Sequence, residues 1–97
     1  MSYVVIIEHR TQPGRRDDVR QVWEKWMRPA ITANEAHEAY TYTFDPSDPD
    51  VIRAFQRYRD ATAAAAFLET PAYRSYLVEV EPLLMGPPVV RTGDVVW

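Results

Sequence analysis

Val4, Val5, Ile6 and Ile7 make an unbroken apolar run inside the stretch Tyr3–His9. A strand with one face in water alternates, so this run predicts a first strand covered on both faces. Gln12, Pro13 and Gly14 form a turn, and Asp17 and Asp18 follow where the positive end of a helix dipole favours carboxylates. Val19, Val22, Trp23, Trp26 and Ala30 then lie on one stripe, with Arg20, Glu24, Lys25 and Arg28 elsewhere. That is an amphipathic helix packed on a sheet, expected to stop soon after Pro29.

The period changes at Glu38. From there to Phe44 the chain alternates, with Tyr40, Tyr42 and Phe44 on one side and Ala39, Thr41 and Thr43 on the other. The run DPSDPD at 45–50 is a turn, since Asp and Pro each favour one for a separate reason. Val51–Arg59 is a third strand that pairs with the second as a hairpin. Its even positions are Ile52, Ala54, Gln56 and Tyr58, and its odd ones include Arg53, Phe55 and Arg57. Asp60 can cap a short alanine-rich helix, Ala61–Leu68, and Thr70 with Pro71 starts another whose apolar side is Ala72, Tyr73, Tyr76, Leu77 and Val80. Pro82 ends it, and Val89–Trp97 is the last strand.

Strand, helix, strand, strand, helix pair, strand is the split β-α-β, ferredoxin-like pattern. It implies an α+β fold whose antiparallel four-stranded sheet carries helices on one face, with residues 1–97 forming one domain. Phe55 points away from the Gln56 face and the first strand is apolar on both sides, so the open face also needs cover. No remaining sequence supplies it. A second copy of the chain is the expected cover, in a homodimer with sheets packed face to face.

Composition narrows the partners. The chain is 46% hydrophobic and 26% charged with a net charge of −3, an ordinary globular balance that does not attract phosphate backbones or anionic lipid. Nucleic acid is therefore not expected as a partner. The absence of cysteine removes disulfides, thiolate metal sites and cysteine nucleophiles together. The opening MSYVVIIEHR has neither a basic flank nor a cleavage site and is too short to span a bilayer, so the expectation is a cytoplasmic protein with no membrane partner.

One stretch carries a finer pattern. Tyr58 stands two positions after Gln56, Ala63 to Ala66 follow, Phe67 lies eleven positions after Gln56, and Thr70, Pro71, Ala72 and Tyr73 restart the chain. With the order of elements, this stretch resembles the antibiotic biosynthesis monooxygenase family of dimeric α/β-barrel proteins, over almost the whole length. Members carry a Glu, an aromatic, an alanine-rich turn, a His and a Ser/Thr-Pro-aromatic restart at these positions. Here an amide, Gln56, stands in the Glu position and a hydrophobe, Phe67, in the His position. The family's haem-degrading relatives hold iron with a His on the last helix, where this chain has Leu77; their other site positions match His9 and Tyr58. The resemblance therefore implies a domain without haem, and a site with no metal and no cofactor. Some relatives oxidise aromatic polyketides or quinols without metal or flavin, so it also implies a small aromatic molecule as ligand.

Small alanines behind Gln56 and Tyr58 leave either a close packing contact or room for a flat ligand, with Trp23, Trp26, Tyr40 and Tyr42 as candidate walls. Tyr58, His37 and His9 are the candidate catalytic residues, the two histidines because they titrate near neutral pH without help. Asn34, Gln56 and Phe67 join Trp23, Trp26, Tyr40 and Tyr42 as candidate substrate-binding residues. Each has a structural alternative: core packing for the tryptophans, turn-making for Asn34, solvation at strand ends for the histidines. Three readings stay open. The first is a cofactor-independent monooxygenase acting on an aromatic phenol or quinol; the second is the same dimer as a non-catalytic small-molecule-binding or stress-response protein; the third is a structural domain whose own side chains fill the pocket.

Overall fold

A computed structural model describes residues 1–97. Its elements are β1 (Tyr3–Arg10), α1 (Arg16–Ala33), β2 (His37–Phe44), β3 (Val51–Tyr58), α2 (Ala61–Phe67), α3 (Pro71–Val80) and β4 (Val89–Asp94), with a 3-10 turn at Glu81–Leu83. The strands lie in the order β2-β3-β1-β4 with every neighbour antiparallel. This is the ferredoxin-like α+β arrangement, and the sheet is open.

Local chemistry explains where the elements start. The Asp60 carboxylate accepts the Ala63 N–H at 2.7 Å and opens α2, and the Thr70 hydroxyl accepts the Tyr73 N–H at 3.3 Å and opens α3 behind Pro71. The Arg16 guanidinium donates to the carbonyls of Asp45, Asp48 and Val51 and lies 4.1 Å from the centre of the Phe44 ring. It thereby ties the acidic hairpin turn to the start of α1.

One boundary falls about where expected and one differs. Helix α1 passes through Pro29 and ends at Ala33. A proline there removes the N–H that would bond the Lys25 carbonyl, but Ala30 and Ile31 just beyond it pack on the core cluster beside buried Met27, and that burial holds the last turn. Strand β4 ends at Asp94 rather than Trp97. Asp94 pairs with Tyr3, the first residue of β1, and the Val95 N–H makes a last bond to the Ser2 carbonyl at 2.9 Å.

The two faces of the sheet have different fates. Val5, Ile7, Ala54, Gln56, Tyr58, Tyr40 and Tyr42 face the helices, over a core in which Val19, Ile52 and Val80 are fully buried. On the other face Val4 and Ile6 are half-buried and Phe55 is 44% exposed. Ion pairs from Arg53 to Glu8 and Asp45, and from Arg57 to Glu38, frame that apolar patch. No element of the chain covers it.

Candidate functional site

Strand register places the candidate residues in rows beneath the helices. Tyr40, Gln56, Val5 and Thr92 form one row across the sheet, and Tyr42, Ala54, Ile7 and Val90 the next. Ile52 and His9 pair in the row beyond, with Phe44 on the other side of Ile52. Over these rows the alanines of α2 and the apolar sides of α1 and α3 leave a cavity of about 320 Å³. Its size and apolar wall are those of small-molecule pockets. Phe67 and Trp23 line it without filling it.

Some of the polar groups of the wall are already satisfied within the chain. The Trp23 indole N–H donates to the Tyr40 hydroxyl at 3.1 Å while its ring stacks on Tyr42 at 4.3 Å. The Tyr58 hydroxyl donates to the Gln56 side-chain oxygen at 2.7 Å. Others are not. His9 makes no side-chain hydrogen bond and its Nδ1 is shielded from solvent; the Tyr42 hydroxyl is shielded likewise; and the Gln56 amide nitrogen and the hydroxyls of Tyr73 and Tyr76 have no partner in the chain. An unpaired polar group costs about 1–3 kcal/mol when buried.

Burial sets the protonation states. It lowers the pKa of His9, so this imidazole is neutral at pH 7. Burial raises the phenols of Tyr40, to about 12, and of Tyr42, Tyr58 and Tyr76. None of these tyrosines is ionised at neutral pH. Among the cavity-lining candidates only His9 can accept a proton there.

The remaining candidates lie outside the cavity wall. Trp26 packs at the edge of the core with the Lys25 ammonium 4.9 Å from its ring centre. Asn34 follows α1, where its side-chain oxygen accepts the Ala36 N–H at 3.3 Å. His37 sits behind Gln56, edge-on to Phe67 at 4.7 Å and 4.2 Å from the Tyr58 ring. A register shift between His37 and Ala39 brings it to the helix-facing side, against the simple alternation of β2. Its pKa is lowered by burial, against a smaller raising effect of its hydrogen bond to Gln56. The wall also includes Met27, Ala54, Tyr73, Tyr76, Leu84 and Thr92. Of these, Tyr73 and Tyr76 were legible as the apolar side of α3, and Ala54 as an even position of β3 with Gln56 and Tyr58; the other three carried no signal.

A ferredoxin-like α+β domain with an apolar cavity between sheet and helices is the class that fold and site define. The sequence profile of the family described as antibiotic biosynthesis monooxygenase matches residues 2–78, and the chain belongs to that family. No curated protein matches it. Among solved structures, Rv0793 from Mycobacterium tuberculosis superposes with a TM-score of 0.85 at 23% identity, covering 99% of this chain and 96% of its own. A protein from Caulobacter crescentus provisionally named an antibiotic biosynthesis monooxygenase gives 0.91 at 17%, covering 99% and 91%. One from Nitrosomonas europaea, named in the same provisional way, gives 0.89 at 15%, covering 98% and 99%. At these identities the likeness establishes the fold alone. No helix of the chain is long and apolar enough to cross a membrane.

Proposed function

We propose that this chain is a cofactor-independent monooxygenase that oxidises an aromatic phenol or quinol, and that it works as a homodimer. The observation that carries the catalytic reading is a pair of polar side chains lining an otherwise apolar cavity: a neutral His9 with no hydrogen-bond partner at one end, and Gln56, whose oxygen alone is bonded within the chain, at the other. The two residues belong to rows four positions apart on β1, about 13 Å before the side chains reach inward. A flat polycyclic ligand with oxygen at opposite ends fits between them.

The chemistry balances without an external reductant when the phenolic ring carries a C–H para to its oxygen. His9 takes the phenolic proton, and the phenolate gives one electron to dioxygen. The resulting radicals join in a C–O bond at the para carbon, and loss of water from that hydroperoxide leaves a carbonyl. One oxygen atom ends in the product and one in water, with all four electrons supplied by the substrate. The apolar wall excludes bulk water, and the Gln56 N–H groups, at the end of the cavity away from His9, stabilise the negative charge that develops on the dioxygen joining the para carbon.

The homodimer rests on the outer face of the sheet. Val4, Ile6 and Phe55 form an apolar patch framed by ion pairs, and a second copy related by a two-fold axis would meet it with the same patch. Anthrone, whose hydroxy tautomer has the required para C–H, is the test substrate. With isotopically labelled dioxygen, one label should appear in anthraquinone and the other in water, and His9→Asn should slow oxygen consumption about a hundredfold. Binding of anthrone with no oxygen uptake above buffer would refute catalysis and leave the small-molecule-binding reading.

A further inference from the structure

We propose that Asn34 and His37 are positioning residues that fix the rotation of the Gln56 amide, so that Gln56 presents only N–H donors to the cavity and favours ligands presenting an acceptor oxygen. The inference rests on the cavity being the ligand site.

A primary amide can be turned end for end, and a neutral imidazole can carry its proton on either nitrogen, so polarity at such groups must be anchored by something that cannot reverse. Here the anchor is backbone. The Ala36 N–H can only donate, and it donates to the Asn34 side-chain oxygen at 3.3 Å. The other terminus of that side chain is therefore Nδ2, which lies 2.9 Å from His37 Nδ1. An amide nitrogen can only donate, so Nδ1 accepts and the ring proton is on Nε2. His37 Nε2 lies 3.1 Å from the Gln56 side-chain oxygen and donates to it. The Tyr58 hydroxyl donates to the same oxygen at 2.7 Å.

Both lone pairs of the Gln56 oxygen are thus occupied within the chain. If the amide turned over, its NH2 would face the His37 N–H, donor against donor. Gln56 is 4% exposed and Tyr58 2% exposed, so water cannot readily substitute for the lost bond. The NH2 group is what remains for the cavity. His37 and Asn34 act without touching the ligand, and burial keeps His37 in the neutral form that the chain of donors requires.

The test has two arms. In the unliganded protein at pH 7.5, nitrogen NMR of His37 should show Nε2 protonated and Nδ1 bare, and in Asn34→Ala the two tautomers should mix. In the second arm, anaerobic titration compares 1,4-naphthoquinone, which only accepts, with naphthalene, which does neither, and with 1-naphthol. The chain has no cysteine for the quinone to alkylate. Wild type should bind naphthoquinone about tenfold more tightly than naphthalene, one good hydrogen bond's worth.

Gln56→Glu keeps both bonds from His37 and Tyr58 but turns an acceptor toward the ligand. It should abolish the naphthoquinone advantage and favour 1-naphthol instead. Asn34→Ala should reduce the naphthoquinone preference to about twofold to threefold while naphthalene binds as before, and Asn34→Gln should recover part of it. A His37 proton on Nδ1 in wild type overturns the proposal, as does a preference unchanged in both Gln56→Glu and Asn34→Ala. Failure of all three probes to bind removes the cavity as a ligand site and this proposal with it. Binding with the expected selectivity but no turnover of anthrone would sink only the monooxygenase reading.

Discussion

Replacing His9 by Leu should make the protein more stable while removing the proposed activity. The imidazole lies on the helix-facing side of β1, paired across to fully buried Ile52, and makes no side-chain hydrogen bond. Its shielded Nδ1 therefore carries a desolvation cost of about 1–3 kcal/mol that a hydrocarbon of similar size does not. Allowing part of that gain for imperfect packing of the new side chain, His9→Leu should add about 1–2 kcal/mol at pH 8, or roughly 5–10 °C in Tm for a domain of this size. The effect should grow in acid. Because burial lowers the folded-state pKa of His9 below its ordinary value, the unfolded chain binds a proton that the folded chain refuses as pH falls below about 6.5. Stability is thus fully present above that pH and declines below it, by at most about 1.4 kcal/mol per pH unit for one such group. The leucine variant keeps only the similar but separate loss at His37, so its advantage over wild type should be larger at pH 5.5 than at pH 8. Urea unfolding followed by tryptophan fluorescence, at one fixed protomer concentration, measures both differences. A variant less stable than wild type at pH 8, or an advantage that does not change with pH, would show that His9 is satisfied in the folded protein and would remove it as the waiting base.

Other substitutions probe the rest of the arrangement. Ala54→Leu puts an isobutyl group into the cavity floor between Ile7 and Tyr42; it should change stability by less than about 1.5 kcal/mol and abolish binding of naphthalene in a fluorescence titration. Phe55→Arg sets a charge in the centre of the exposed sheet patch, and light scattering should show dimer in wild type and monomer near 11.3 kDa in the variant, with far-UV circular dichroism unchanged. Asp60→Ala removes the acceptor for the Ala63 N–H and should cost about 1 kcal/mol in urea unfolding, since α2 is a single short helix with little else to start it.

What the sequence revealed, and what it hid, follows from how far each feature depends on tertiary geometry. Alternation in Glu38–Phe44 and Val51–Arg59 assigned Tyr40, Tyr42, Gln56 and Tyr58 to one face, and the caps at Asp60 and Thr70 marked the two short helices, because these are local properties of the chain. Trp23 and Trp26 lie on the same stripe of α1, yet only Trp23 reaches the cavity; which of two residues three apart does so depends on the rotation of the helix over the sheet, which spacing does not encode. His37 was harder still. Strict alternation puts it with Ala39, Thr41 and Thr43 on the outer face, and a shift of register at Glu38 turns it inward. That irregularity sets the polarity of the site. A regular strand would have pointed the imidazole away from Gln56 and left the amide free to turn, whereas the bulge places a ring between a backbone-anchored asparagine and the amide. The proposed donor end of the cavity therefore depends on the one position in β2 where the periodic reading of the chain breaks down.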